Sequence, residues 1–212
     1  MTVPKPNPTL SSVDGSPARR SAILQAAFAV LMERGYSGAS TLEIATRAKV
    51  SKRELYAEFG SKAGILRSLI AATSARMQVP LQTAEIPDRG ALAAALTRYG
   101  ISVLSELTTP AVIAINRLAV AEAGRSSDIG DVLETAGREP NRRAMADLFT
   151  RAQAGGLLGN GNPDAMGGQF YSLLTGDLLL RLMLGVARPP TSAEIKRRAE
   201  TAADAVLVLN AP

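Results

Sequence analysis

The chain has no cysteine, no histidine and no tryptophan among its 212 residues. Without cysteine there is no disulfide and no thiolate-ligated zinc, and nothing argues for an oxidising compartment. Without histidine the commonest general base and the commonest metal ligand are both gone. Asp, Glu, Lys and Tyr remain available for chemistry, so an enzyme is disfavoured rather than excluded. Aromatic residues make up only 4% of the chain. With alanine abundant and no alternating apolar pattern, this favours helix–helix packing over a β-sandwich. Long apolar runs are missing too. The longest, over 178–187, is interrupted by Arg181 and is too short to span a bilayer. The first twenty residues contain no apolar segment of the signal-peptide type. The expectation is a soluble cytoplasmic protein with no membrane partner.

What is present bounds the fold. A chain of this length, 46% apolar, has enough material for one large or two small domains with a real core. The net charge of +5 is unevenly placed. Residues 1–76 hold eleven Lys/Arg against five Asp/Glu, and the remainder holds thirteen against fourteen. A polyanion-binding module in the first third is one reading of this excess. Chance scatter of surface charge is the other.

Punctuation residues divide the chain into helices. Residues 1–15, rich in Pro and polar breakers, read as a disordered arm. Ser16-Pro17 is a hydroxyl cap followed by a first-turn proline, and it opens a helix that Gly35 ends. Its first turn carries Arg19 and Arg20, which oppose the helix dipole and so point to something anionic or to plain solvation. Ser40 and Ser51 each begin a capping-box pattern, with Glu43 and Glu54 three residues on. Gly60 and Ser61 separate the next pair of helices. Beyond them, helices are expected over about 61–77, 88–107, 110–123, 127–154 with a kink near Gly137–Pro140, 163–186 and 192–209. Pro80 and Pro87 fall in an expected loop.

Two short helices joined by a tight turn, after a longer helix, make a helix-turn-helix. The major groove of B-DNA admits one α-helix. The helix that enters it must be short, must present basic or hydrogen-bonding residues outward, and must be held by an apolar core. The segment from Ser51 to Phe59 fits: Leu55 and Phe59 share an inner face, while Lys52, Arg53 and Tyr56 point elsewhere.

Residues 20–66 resemble the DNA-binding domain of TetR-family transcriptional repressors. Ala26-Ala27, Gly35-Tyr36, Thr41, Ile44-Ala45, Ala48, Val50-Ser51, Leu55-Tyr56, Phe59 and Lys62 all fall in one register. Residues 177–200 are similar to the last two helices of one subgroup. Four positions depart from the pattern. Lys49 stands where the family usually has Gly in the turn, and Ala57 and Glu58 stand where His or Tyr is common. Glu54 replaces a smaller residue; it either folds back on Ser51 or faces the groove, where it would accept from a cytosine amino group.

The resemblance implies an all-α protein of about nine helices. It would comprise the arm (1–15), a helix-turn-helix domain (16–60) and a helical effector-binding and dimerisation domain (61–212). Its implied partners are a double-stranded DNA operator, a second copy as a homodimer, and an unknown small-molecule effector, with no cofactor. Lys52 and Arg53 are the expected base readers, and Tyr56 a phosphate or base contact. Lys62 is an expected phosphate ligand. Ser40, Thr41, Ser51 and Lys49 are candidate backbone contacts, though capping or solvation would explain them as well.

Leu96, Tyr99, Leu104, Ile115, Leu118, Phe149 and Phe170 are candidates for an apolar effector pocket, or plain core. Arg117 and Glu122, in an otherwise apolar helix, would serve a polar ligand group. Leu173, Gly176, Leu180, Leu184, Val206 and Leu209 are candidates for the dimer interface; packing within the monomer is the alternative. The expected function is a repressor released from a pseudo-palindromic operator by a small apolar effector. A non-regulatory DNA-binding or architectural protein, and a helical enzyme, are the rivals.

Overall fold

The computed structural model describes residues 17–125 and 127–212. The expected arm and the Ser16 cap lie outside them. Side-chain oxygens set most helix starts: Ser40, Ser51, Ser61, Asp88, Thr109, Asn162 and Thr191 each accept from an amide of the following first turn. Each satisfies a donor that has no partner inside the helix, typically contributing about 1 kcal/mol. The resulting helices are α1 (Pro17–Gly38), α2 (Thr41–Arg47), α3 (Lys52–Phe59), α4 (Lys62–Gln82), α5 (Arg89–Leu107), α6 (Pro110–Glu122), α7 (Asp128–Val132), α8 (Glu139–Ala154), α9 (Pro163–Thr175), α10 (Leu178–Leu184) and α11 (Ser192–Leu209). A π-helical turn, Leu133–Arg138, joins α7 to α8. No strand occurs among the described residues.

Four expectations about helix limits need correction. Gly35 interrupts α1 (φ 69°, ψ 175°), but one more turn runs on to Gly38. Helix α4 continues past Met77 and takes in Pro80. Proline there removes the bond to the Arg76 carbonyl, and Ser102 Oγ of α5 donates to that carbonyl at 3.3 Å instead. The kink near Gly137 is the π-helical turn, and Ser127 makes no side-chain cap before it; its hydroxyl donates to Asp131 Oδ2 at 2.7 Å. The helix expected over 163–186 is two helices. Gly176 at φ 48° and ψ −129° adopts a backbone that a Cβ disfavours, and the chain turns there to lay α10 against α6.

Two apolar clusters form the core. One gathers Ile23, Ala27, Val30 and Leu31 of α1, Ile44 and Ala45 of α2, Leu55 and Phe59 of α3, and Ile65, Leu66 and Ile70 of α4. It continues into Ile115 of α6 and Ile129 and Val132 of α7. The other holds Met77 and Leu81 of α4 with the inner faces of α5, α8, α9 and α11. Helix α4 is thus common to both. Among the described residues no single helix is long and apolar enough to cross a membrane. The bent pair α5–α6 passes that test by composition, 67° apart, and α5 has Leu92, Leu96 and Leu104 wholly buried in the core.

Candidate nucleic-acid interface and internal cavity

The turn between α2 and α3 is closed by its own backbone. Lys49 N donates to Thr46 O at 3.2 Å and Val50 N to Ala45 O at 3.0 Å. This is the Schellman pattern, and it needs a left-handed residue at the first position past the helix. Lys49 occupies that position at φ 55°, a conformation that costs a residue with a Cβ about 1 kcal/mol. The lysine keeps the turn that glycine would make more easily and puts a cation there.

Helix α3 starts with a complete capping box. Ser51 Oγ accepts from Glu54 N at 3.1 Å, and Ser51 N donates to Glu54 Oε2 at 2.8 Å. Glu54 therefore folds back, as one of its two readings had it. Ser51 and Arg19 hold its carboxylate below the usual range, the Ser51 amide most of all. Arg19 reaches Glu54 at 3.2 Å. Arg20 pairs with Glu58 and lies 4.8 Å over the Phe59 ring. Among the described residues these two arginines pair with carboxylates of α3, which α1 thereby fixes in angle.

All four described carboxylates in the first 76 residues are paired. Glu33 and Glu43 are held by Arg47, at 2.5 and 2.7 Å, while Glu54 and Glu58 are held by α1. Lys49 and Arg53 are exposed and have no carboxylate partner among the described residues, and Lys52 only overlies the Tyr56 ring at 5.7 Å. Internal pairing thus removes the negative charge and leaves a concentrated positive face at the N-terminal end of α3. Such a face attracts a polyanion at long range.

The other expected contact residues are placed as follows. Tyr56 is 41% exposed, and its hydroxyl lies 3.1 Å from Thr41 Oγ1, tying α3 to the start of α2 on the outer surface. Ser40 is exposed and caps α2. Lys62 differs from expectation. Its ammonium donates to Tyr36 O at 2.5 Å and Ala39 O at 3.2 Å, and sits 4.3 Å over the Tyr36 ring. Two of its three donors serve the carbonyls that end α1, so Lys62 fastens α4 to α1. Just beyond it, a Cβ on Gly64 would lie 1.9 Å from Phe59 O. Only glycine lets α4 start this close to the end of α3.

A cavity of about 850 Å³ opens between α1, α4, α5, α6, the π-helical turn, α8, α9 and α10. Of the expected pocket residues, Tyr99, Ile115 and Phe170 line it. Leu96, Leu104 and Phe149 are fully buried in the solid core, and Leu118 packs on the cluster around α1. Arg117 donates to Met183 O at 2.7 Å and Leu182 O at 2.8 Å. A cation on the last carbonyls of α10 is a helix-terminus clip, which leaves Arg117 outside the cavity. Glu122 accepts from Ser37 Oγ at 3.0 Å and joins α6 to α1.

The sequence reading missed the polar part of the cavity wall. Ser74 is buried and accepts from Asn141 Nδ2 at 2.8 Å; its hydroxyl donates to Gly137 O at 3.1 Å. Asn141 also donates to Gly137 O at 2.8 Å and accepts from Tyr99 at 3.3 Å. The signal was a serine on the apolar stripe Leu66–Ile70–Ser74–Met77–Leu81 of α4. Burial, and the neighbouring Tyr171, push the Tyr99 phenol up, so it stays protonated.

Leu173, Leu180, Leu184 and Leu209 are exposed on α9, α10 and α11, with Gly176 exposed between the first two. Val206 is not among them. It faces the core of its own chain, and Val208 is exposed instead.

A short helix with free cations, set at the outer edge of a three-helix unit and joined through α4 to a hollow helical body, defines a helix-turn-helix DNA-binding regulator. Comparison with known proteins agrees. Residues 23–69 match the model of the bacterial regulatory proteins of the tetR family, and residues 94–209 match that of the AefR-like transcriptional repressor C-terminal domain. A TetR transcriptional regulator from Agrobacterium tumefaciens is 30% identical, with a TM-score of 0.74, covering 92% of this chain and 95% of that one. The flavonoid-responsive regulator FrrA is 28% identical, with a TM-score of 0.71, covering 92% and 98%. The HTH-type transcriptional regulator YvkB of Bacillus subtilis (strain 168) is 26% identical over 163 residues, covering 77% and 82%. The chain belongs to the TetR family of transcriptional regulators. It is a ligand-responsive DNA-binding regulator and not an enzyme.

Proposed function

We propose that the chain acts as a homodimeric repressor that leaves a pseudo-palindromic operator when a small, largely apolar effector fills the cavity. One observation carries the reading: Leu24 and Phe28 of α1 line the same cavity as Leu69 and Thr73 of α4. An occupant would touch both the helix that holds α3 by its arginines and the helix that Lys62 fastens to α1. An effector that binds better to the state with displaced recognition helices shifts the equilibrium by that difference in affinity. That a relative is flavonoid-responsive favours apolar aromatic compounds in an effector screen.

In this reading residues 16–60 form the DNA-binding unit and 61–212 the regulatory unit. Lys52 and Arg53 read bases, with arginine on guanine the commonest specific contact. Lys49, Tyr56, Thr41, Ser40 and Ser51 face the phosphate backbone, which fixes register. Exposed Leu173, Leu180, Leu184, Val208 and Leu209 supply the apolar surface of a dimer. Two-fold symmetry would then set a pair of α3 helices into major grooves about 34 Å apart.

The test is a titration of the purified protein against DNA from beside its own gene, at several salt concentrations, with a random duplex as control. Tight binding of two chains to one fragment is the expected result. Equal, steeply salt-dependent binding to both duplexes would leave only the electrostatic component and refute a specific operator there.

A further inference from the structure

We infer that Asn141 and Tyr99 form the polar subsite of the cavity and that it takes an uncharged ligand through a hydroxyl group donated to Asn141 Oδ1. The inference rests on the reading of the cavity as the effector site and adds the chemistry of what enters it.

Charge comes first. Every charged side chain that lines the cavity already has an opposite partner. Arg76 pairs with Glu106 at 2.7 Å, Arg142 with Glu139 at 2.9 Å and Asp164 at 2.5 Å, Arg138 with Glu134 at 3.7 Å, and Arg20 with Glu58. An anionic or cationic ligand would be desolvated there without a counter-charge, and an unpaired buried charge is strongly disfavoured. These arginines are about half or more exposed, and the wall around the buried Ser74–Asn141–Tyr99 group offers no unpaired charge, which favours a neutral molecule there.

Hydrogen-bonding capacity comes second. Both hydrogens of the Asn141 amide are engaged, on Ser74 Oγ and on Gly137 O. The Gly137 carbonyl cannot donate, which fixes the orientation of the amide, nitrogen toward it and oxygen away. The Ser74 hydroxyl donates to the same carbonyl and accepts from Gln78 Nε2 at 3.0 Å. The Tyr99 hydroxyl donates to Asn141 Oδ1. Every donor of Asn141, Ser74 and Tyr99 is used, while Asn141 Oδ1 and the Tyr99 oxygen keep unfilled lone pairs. What the buried polar patch lacks is a donor. Tyr171, which also lines the cavity, has a hydroxyl with no partner among the described residues. It leaves one donor on the cavity wall for an acceptor of the ligand. A phenol or alcohol supplies the donor that Asn141 Oδ1 lacks, whereas an ether or a carboxylate would bring a second acceptor against that oxygen.

The test uses the full chain and three probes that share one apolar body: 4-octylphenol, 4-octylanisole and 4-octylbenzoate, each titrated by calorimetry. The phenol is expected to bind about tenfold more tightly than the anisole, and the benzoate no better than the anisole. Asn141→Leu should bring phenol and anisole to equal affinity. Tyr99→Phe removes one oxygen and leaves Asn141 Oδ1 without its donor, so the phenol preference should persist; this variant decides the matter if Asn141→Leu does not fold. Equal binding of phenol and anisole to the unaltered protein, or a preference that Asn141→Leu leaves intact or Tyr99→Phe abolishes, overturns the subsite while the cavity reading stands. Binding of none of the three overturns both.

Discussion

Around α3, Lys49 and Arg53 carry no carboxylate partner among the described residues, whereas around the cavity Arg76, Arg138 and Arg142 each have one. Both regions contain arginine-rich helix surfaces, and both contain nearby acids. They differ in where the acids are aimed. In the first, Glu33, Glu43, Glu54 and Glu58 turn back to pair with Arg47, Arg19 and Arg20, which are structural cations. The α3 cations are left to face outward. In the second, the acids cancel the cations that a ligand would meet. A positive face that keeps its charge suits a polyanion, and a wall that cancels its charge suits a neutral molecule. The difference is made by pairing and not by composition.

Several changes would break or sharpen this contrast, and the largest concerns the joint between the two regions. Gly64→Ala places a Cβ against Phe59 O and should cost about 3 kcal/mol, read as a lowered urea midpoint with operator binding lost in parallel. An unchanged midpoint would show that α4 does not need this close start.

Arg53→Ala should cost about 1–3 kcal/mol of operator affinity and relax preference at one base position. Uniform weakening across sequences would make Arg53 a phosphate ligand. Lys62→Met should lower stability by about 1–3 kcal/mol, because the carbonyls of Tyr36 and Ala39 lose their donors, with little change in the salt slope of DNA binding. A slope reduced by about one, at unchanged stability, would return Lys62 to the phosphate backbone.

Lys49→Gly separates charge from conformation at a single residue. The left-handed position is relieved, so the protein should gain about 1 kcal/mol. The positive face loses a cation, so its DNA affinity should become less salt-dependent. A destabilised variant would mean that the lysine side chain does more than tolerate the turn.

Acid should affect the two ends of the chain alike. Glu54 and Glu194 close capping boxes on Ser51 and Thr191, and those bonds hold both carboxylates below their ordinary value of 4.5. A depressed folded value means that the stabilisation is present above that ordinary value and fades as pH falls through the depressed one. Thermal melts should therefore drop below about pH 4.5, less so in the double variant Glu54→Gln, Glu194→Gln. A pH profile the same in the double variant would assign the acid sensitivity to other carboxylates.

The sequence by itself determined the local events. Ser40, Ser51, Ser61 and Asp88 fixed helix starts, Gly60 and Gly35 interrupted helices, and Leu55 with Phe59 gave α3 its inner face. Each is decided by neighbours within one or two turns, so spacing alone reports it, and the helix-turn-helix was legible for that reason. Tertiary structure decided what depends on distant partners. Pro80 stays helical because Ser102, 22 residues on, meets the freed Arg76 carbonyl. Lys62 turns inward because the end of α1 presents two carbonyls to it. Val206 is buried and Val208 exposed because the face of α11 that meets α5 cannot be read from α11 alone. The cavity wall, Ser74 with Tyr99 and Asn141, is drawn from three helices whose meeting no local pattern encodes. Charge follows the same division: the sequence shows that the first third is basic, and only the fold shows which of its cations are still free.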